Sequence, residues 1–400
     1  MKKIALISAS LPPSQSAQST VIFHLFKNYD PSKYCLITQK NVHLYYIKPR
    51  CSDQLPANYH YLQPDYQFVR MFTRIASIFQ STTLLNLALK IRTRQIKKII
   101  RQEQCDAIIA CTSDLFDPPA GLVASKDLGI PFIFYAFDYY SSQGGGPLLR
   151  SFAAKYELDL VKTAANVIVP NEYMYEEYLK RYGVAATILH NPFDIKEYEK
   201  QAQIGDVTNT DRPTEKTIVY TGAIYDAHYD AFRNLIAAVK LLGTDAPTIH
   251  LYTPQSHHHL INNNITGSKV IVHKALPASA MPSIQRNADI LFLPLAFESG
   301  YPDIIRTSAP GKTGEYLASG NPILVHAPKD TFVSWFFKKY NCGLVVDENS
   351  PELLAQAIKL LITDEKFCLG ITQNAYTVAK TQFDIQNIEE KFHEMLNALH

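Results

Sequence analysis

Residues 307–323, Thr307-Ser-Ala-Pro310-Gly-Lys312-Thr-Gly-Glu315-Tyr-Leu-Ala-Ser319-Gly320-Asn-Pro322-Ile323, separate two apolar runs, Asp289–Pro294 and Ile323–Val325. Each run has the length and composition of a buried strand. Pro310 suits a first helical turn, and Gly320 followed by Pro322 suits a helix end. The stretch therefore reads as loop, short helix and strand inside an α/β sheet. On a helix starting near Pro310, Lys312, Glu315 and Ser319 share one face. A cation in a first helical turn opposes the helix dipole unless an anion sits there too. A phosphate is the usual such anion, and Glu315 one turn on can accept two hydroxyl hydrogen bonds, as from a ribose. The other reading is a surface Lys312–Glu315 pair that needs no ligand.

The pattern Ser308-x-Pro310-x-Lys312-x-x-Glu315-Tyr-Leu-Ala-x-Gly320-x-Pro322-Ile323, behind an apolar strand and loop, resembles the donor-site signature of group 1 (family 4) retaining glycosyltransferases. The lysine variant is similar to that of bacterial cell-surface polysaccharide transferases. The resemblance implies an α/β protein of two Rossmann-like doubly wound domains facing across a cleft, the GT-B fold. It also implies that Glu315 holds the ribose hydroxyls of a sugar nucleotide, with Ser308 and Lys312 beside it. The commonest family pattern has a second glutamate eight residues before Glu315, where this chain has Thr307. Glu298, in Phe297-Glu-Ser-Gly300 ahead of the insertion Tyr301–Arg306, is either its displaced counterpart or a solvated loop acid.

Four hundred residues, 46% hydrophobic and 19% charged, suit a globular chain of two or three domains. The net charge of +2 is uneven: residues 1–100 hold 14 Lys/Arg and 3 Asp/Glu, hence +11, which points to an anionic partner. Six cysteines without a Cys-x-x-Cys pair suggest neither a disulfide framework nor a zinc site, and fit a reducing cytoplasm. No stretch approaches the roughly 20 apolar residues of a membrane span. No aromatic-plus-glycine RNA motif or zinc finger points to nucleic acid.

Met1–Ala9 reads as a buried first strand, and Ser10–Ser19 as a polar loop before an apolar helical segment, Val21–Phe26. Such a loop is where doubly wound sheets bind ligands; it resembles the family's first loop, without the usual glycine near Ala17. Tyr34–Thr38 and His43–Ile47 are further β-rich runs. Phe68, Met71/Phe72, Ile75 and Ile78/Phe79 recur at amphipathic helical spacing, with Arg70 and Arg74 one turn apart. Next, Leu84, Leu85, Ala88, Leu89, Ile96, Ile99 and Ile100 share one helical face, opposite Lys90, Arg94, Lys97, Lys98 and Arg101. That helix is either a core helix with a solvated face or one that lies on an anionic membrane.

Strand–helix alternation follows, with strands at Ala107–Cys111, Phe132–Ala136 and Val167–Val169 and helices at 118–127, 148–164 and 172–182. Asp138, directly after one strand, resembles a family aspartate near the acceptor site; a turn cap is the other reading. Val169-Pro-Asn171 and His190-Asn-Pro-Phe-Asp194 are similar to the family's end-of-domain landmarks. Residues 1–194 are expected to form an acceptor-side domain, 195–215 a polar linker, and 216–383 the sugar-nucleotide domain. By the resemblance, the last helix, within 384–400, packs back on the first domain.

Thr217–Gly222 opens the second series as strand and glycine, where a backbone can approach a ligand closely. The resemblance turns Gly222 toward the donor diphosphate and places His273–Leu276, with Ala275 and Leu276, at the nucleotide base. Many relatives carry a basic residue just after the glycine; Ala223-Ile-Tyr225 supplies none, and Lys312 is the candidate replacement. His257-His-His259 does not share one face, and no Asp-x-Asp occurs, so no metal site is expected. The reading is a metal-independent retaining transferase with no cofactor beyond its sugar-nucleotide substrate. Asp138 and Lys312 are its catalytic candidates, and a glycan or lipid-linked hydroxyl is its acceptor. Its expected place is the cytoplasm, or peripherally the inner face of the membrane. A sugar-nucleotide epimerase of this fold and a non-catalytic sugar-nucleotide or glycan-binding protein are the alternatives.

Overall fold

Short apolar runs, each closed by a polar or glycine-containing turn, build two parallel sheets with helices between their strands. The computed structural model describes residues 3–14, 16–39, 54–142, 145–205, 215–274 and 276–398. The chain divides into two units, Met1–His190 with Ile388–His400, and Asn191–Asn387.

The first unit runs β1 (Ile4–Ile7), α1 (Ala17–Phe26), β2 (Tyr34–Gln39), β3 (Asn58–Leu62), α2 (Tyr66–Ile78) and α3 (Thr82–Glu103). It continues with β4 (Ala107–Cys111), α4 (Asp117–Leu128), β5 (Phe132–Tyr135), α5 (Pro147–Thr163), β6 (Asn166–Val169), α6 (Glu172–Tyr182) and β7 (Thr187–Ile188). Its sheet has the order β3-β2-β1-β4-β5-β6-β7, every pairing parallel. β1, β4 and β5 are buried along their whole length, as expected of strands covered on both faces. The expected run His43–Ile47 lies outside the described residues, whereas β3 has no apolar alternation that would announce it.

The second unit opens with α7 (Ile195–Gly205), β8 (Thr217–Thr221), α8 (Tyr229–Leu241), β9 (Thr248–Thr253), α9 (His257–Asn262) and β10 (Val270–Lys274). Then come α10 (Met281–Arg286), β11 (Ile290–Pro294), α11 (Pro302–Thr307), α12 (Thr313–Ala318) and β12 (Ile323–His326). It closes with α13 (Phe332–Tyr340), β13 (Leu344–Val346), α14 (Pro351–Thr363) and α15 (Glu365–Val378), after which α16 (Ile385–Asn397) returns, from Ile388 on, to the first unit. The sheet order is β10-β9-β8-β11-β12-β13, again all parallel. Both units are thus Rossmann-like, with the strand order reversing between β1 and β4 in one and between β8 and β11 in the other.

Two expectations change. Residues 195–205 are not linker: they form α7, because Ile195 and Tyr198 provide one buried contact face despite the polar composition. Residues 206–214 lie outside the described residues. The helix expected from Pro310 begins only at Thr313, with Lys312 as the residue before its first turn. Pro310 instead accepts bonds from Thr313, through both N–H and Oγ1. The insertion Tyr301–Arg306 is largely helix, α11. From α16, Ile388, Phe392, Met395 and Leu396 join the first unit's core beside Val21, Leu25 and Phe26.

Candidate functional site

The C-terminal ends of β8 and β11 flank the point where the second sheet reverses its order, the usual place for a ligand in such a sheet. The landmark motif is brought there by apolar and backbone contacts. On α12, Tyr316 is fully buried, and its Oη accepts a hydrogen bond from the Thr221 N–H at 3.0 Å, tying the helix to the end of β8. Gly314 permits close approach: a Cβ there would stand 2.6 Å from the Phe193 ring and 3.1 Å from Phe383. Phe193 N–H donates to Phe383 O at 3.1 Å, and Ile385 N–H to Phe193 O at 2.9 Å. Asn191 Nδ2 donates to Ala309 O at 3.0 Å. The landmark 190–194 is thus a support beneath the motif.

Lys312 does not pair with Glu315. Its Nζ donates to Tyr220 Oη at 2.8 Å and lies 4.0 Å from that ring's centroid. Tyr220 Oη in turn donates to Ala223 O at 2.6 Å. Gly222 has φ +126°, and a Cβ on it would stand 3.1 Å from Lys312 Nζ. The glycine therefore clears the space that the ammonium occupies at the end of β8. Lys312 is half-buried, with its Nζ held at the Tyr220 hydroxyl. Desolvation there pushes the ammonium down to about 7, with Glu315 opposing the shift. A desolvated cation bonded, among the described residues, to a neutral phenol alone is poised for an anion.

His228 precedes α8 and is buried; among the described residues its Nδ1 has no hydrogen-bond partner. Burial, with Lys312 nearby, holds it down to about 3, so it stays neutral.

Glu315 is held by Gln285, whose Nε2 donates to Glu315 Oε2 at 3.0 Å and to Thr221 Oγ1 at 3.2 Å. Gln285 is fully buried and accepts from Tyr198 Oη at 2.7 Å, so α7 helps to orient this carboxylate. Burial raises the Glu315 pKa, while Gln285 and Lys312 counteract it.

Glu298 is exposed, and its backbone N–H donates to Asp230 Oδ2 at 2.7 Å. The Phe297 N–H donates to the same oxygen at 2.8 Å, and the Ala231 N–H to Oδ1 at 2.7 Å. Asp230, in the first turn of α8 and buried, thus pins the loop after β11 to the start of α8. Asp230→Ala should cost about 1.5–3 kcal/mol, the range for hydrogen bonds to a charged group, as read by urea unfolding. An unchanged midpoint would mean that the loop holds itself.

Ser308 is half-buried just after α11, and Leu276 is 48% exposed beyond β10. Ala275 lies outside the described residues. Thr307 is buried, its Oγ1 donating to Asp303 O at 3.1 Å. In the first unit Asp138 is exposed after β5, its N–H donating to Thr112 Oγ1 at 3.3 Å. Of the three consecutive histidines, His259 bonds Tyr229 at 2.9 Å and His258 bonds Asn262 at 3.1 Å. Tyr220, His228, Asp230, Gln285 and Tyr198 were not picked out from the sequence. Only Tyr220 carried a signal, as part of the strand leading into Gly222.

Residues 40–197 match the family model Glycosyltransferase Family 4, and residues 215–364 match Glycosyl transferases group 1. No curated protein matches the chain. Among solved structures, Anabaena HepE in complex with UDP-glucose is similar at 15% identity and TM-score 0.68, covering 100% of both chains. A glycosyltransferase from Rickettsia africae is 12% identical with TM-score 0.69, covering 100% of this chain and 98% of that one. An α,α-trehalose-phosphate synthase from Burkholderia xenovorans is 9% identical with TM-score 0.70, covering 99% and 100% respectively. A glycosyltransferase family model thus matches in each half of the chain, and its two Rossmann-like units have the GT-B fold of these solved structures.

Proposed function

We propose that the chain moves a sugar from a nucleoside-diphosphate donor to a hydroxyl acceptor, with retained anomeric configuration and without a metal ion. The observation that carries this reading is Lys312 Nζ, set over Gly222 and Tyr220 at the sheet's reversal point with no carboxylate bonded to it among the described residues. The donor diphosphate is the anion that completes it, and Glu315 accepts from the ribose hydroxyls. Likeness to structures holding UDP or UDP-glucose supports the donor class.

In the reaction the bond from the sugar's anomeric carbon to the diphosphate oxygen breaks, and a bond to the acceptor oxygen forms. Negative charge grows on the departing diphosphate, where the Lys312 ammonium stabilises it. The acceptor's proton passes to that phosphate. Asp138 serves the acceptor side. The acceptor is a glycan or lipid-linked hydroxyl of cell-surface polysaccharide synthesis, met in the cytoplasm or at the inner face of the membrane.

A thermal-shift screen of UDP-, GDP-, ADP- and TDP-sugars tests the donor, since a selective ligand raises apparent stability by mass action. The selected donor, incubated with cell-envelope acceptors in EDTA, should yield transfer. Loss of transfer in EDTA with recovery in Mn²⁺ would end the metal-free reading. Acceptor-free isomerisation would make the protein an epimerase, and binding without turnover would make it a binding protein.

A further inference from the structure

The amphipathic helix α2 turns its apolar face outward. Val69 and Ala76 are its buried side, whereas Phe68, Met71, Ile75, Ile78 and Phe79 are 58%, 53%, 38%, 69% and 74% exposed. At 100° per residue these side chains, with Phe79 just past the end of α2, fall within one stripe that stands apart from the buried side. Such a stripe on a helix is what a soluble face does not need and an apolar partner does.

The next helix, α3, also carries exposed apolar side chains, Leu87 at 50% and Ile91 at 40%. The same face of α3 carries Lys90, Arg94, Lys98 and Arg101, all exposed. The opposite face of α3 is core: Leu85, Leu89, Ile96 and Ile100 are buried. Lys97 is spoken for, bonded to Asp127 at 2.7 Å. Arg70 and Arg74 are exposed along one edge of the α2 stripe. From Tyr66 to Glu103 the chain has eight Lys/Arg and a single acid, Glu103, and that acid is engaged by Lys3 at 2.6 Å. A protein partner's apolar patch would satisfy the stripe alone. A surface that is apolar beneath and negatively charged at its face satisfies both the stripe and the cations. Among the described residues no helix is long and apolar enough to cross a membrane, so the helix would lie along such a surface.

We propose that α2 and the start of α3 form a membrane-docking face, with the stripe Phe68–Phe79 seated among the lipid chains of an anionic bilayer and Lys90, Arg94 and Lys98 at its headgroups. The proposal deepens the reading of a lipid-associated acceptor and rests on it for its purpose, but its test does not depend on turnover.

The test is cosedimentation with vesicles of phosphatidylcholine and phosphatidylglycerol in about equal parts, against phosphatidylcholine alone, at low and high salt. The wild type should bind the mixed vesicles at low salt and weaken as salt rises. Ile78→Ser with Phe79→Ser should lower binding about tenfold or more, leaving the donor-induced thermal shift unchanged. Lys90→Gln, Arg94→Gln and Lys98→Gln together should remove most of the salt dependence. Wild type that ignores the mixed vesicles overturns the proposal. So does binding indifferent to Ile78→Ser/Phe79→Ser, or a dimer that this double variant converts to monomer with no change on vesicles. Loss of the donor-induced shift in the wild type would instead strike the proposed function and leave the docking face standing.

Discussion

Lys312→Ala should lower kcat/KM for transfer by roughly 10- to 150-fold, the equivalent of one charge-assisted bond of about 1.5–3 kcal/mol. The loss belongs to the donor, because among the described residues Lys312 makes no ion pair whose removal would unsettle the fold. Lys312→Met should even raise the melting temperature of the donor-free protein. The folded ammonium titrates near 7 against 10.5 unperturbed, so between those values the unfolded chain binds more protons. Stability from this group therefore rises with pH across that window, and its cost is full below about 7. The gain from Lys312→Met should be largest at and below that pH and fade toward 10.5. Donor binding has the opposite dependence: a diphosphate favours the charged lysine, so affinity should fall as pH rises through about 7. A sugar nucleotide, whose phosphates are diesters, is the right probe, since a free nucleoside diphosphate titrates in the same range. Tyr220 and His228 stay neutral throughout, the first raised well above and the second held well below the window. Glu315→Ala should also shrink the donor-induced shift, but through the ribose. A nucleoside monophosphate should therefore lose more affinity with Glu315→Ala than with Lys312→Ala. If both variants keep wild-type kinetics and shifts, the donor site is elsewhere.

Gly222→Ala should damage the same site by a second route. Its φ of +126° is one that side chains rarely adopt, a strain of about 1–3 kcal/mol, visible as a lowered melting temperature. Its new methyl would crowd Lys312 Nζ, the far end of a flexible side chain, and the lysine would swing away from Tyr220. Donor affinity should fall about tenfold or more, the lower end of what loss of the lysine itself costs. The two substitutions act through one contact, so they should not add. In a Lys312→Ala background, Gly222→Ala should lower stability but change kcat/KM little further. Full additivity in kcat/KM would mean that Gly222 meets the donor directly and that its clearance for Lys312 is incidental.

The two-unit architecture was legible in the sequence, and so was the motif on which the proposed donor site rests. Apolar runs such as Ile4–Ile7, Ala107–Cys111 and Ile290–Pro294 announce buried parallel strands because neither face meets water. The motif around Lys312 and Glu315 is continuous, so it could be read without knowing the fold. What each side chain faces emerges only from the fold. Whether Lys312 paired with Glu315 or waited for an anion depended on Tyr220 and Gly222, some ninety residues earlier in the chain. Asp230 and the chain Tyr198–Gln285–Glu315 were invisible for the same reason: buried polar groups choose partners across the fold, and local spacing carries no trace of them. The polar composition of 195–205 hid α7, since a single buried face of Ile195 and Tyr198 is enough to dock a helix. Periodicity marked α2 as amphipathic but not which side it turns to the protein. Among the described residues Val69 and Ala76 are the buried side chains that seat α2, leaving Phe68, Met71, Ile75, Ile78 and Phe79 outside.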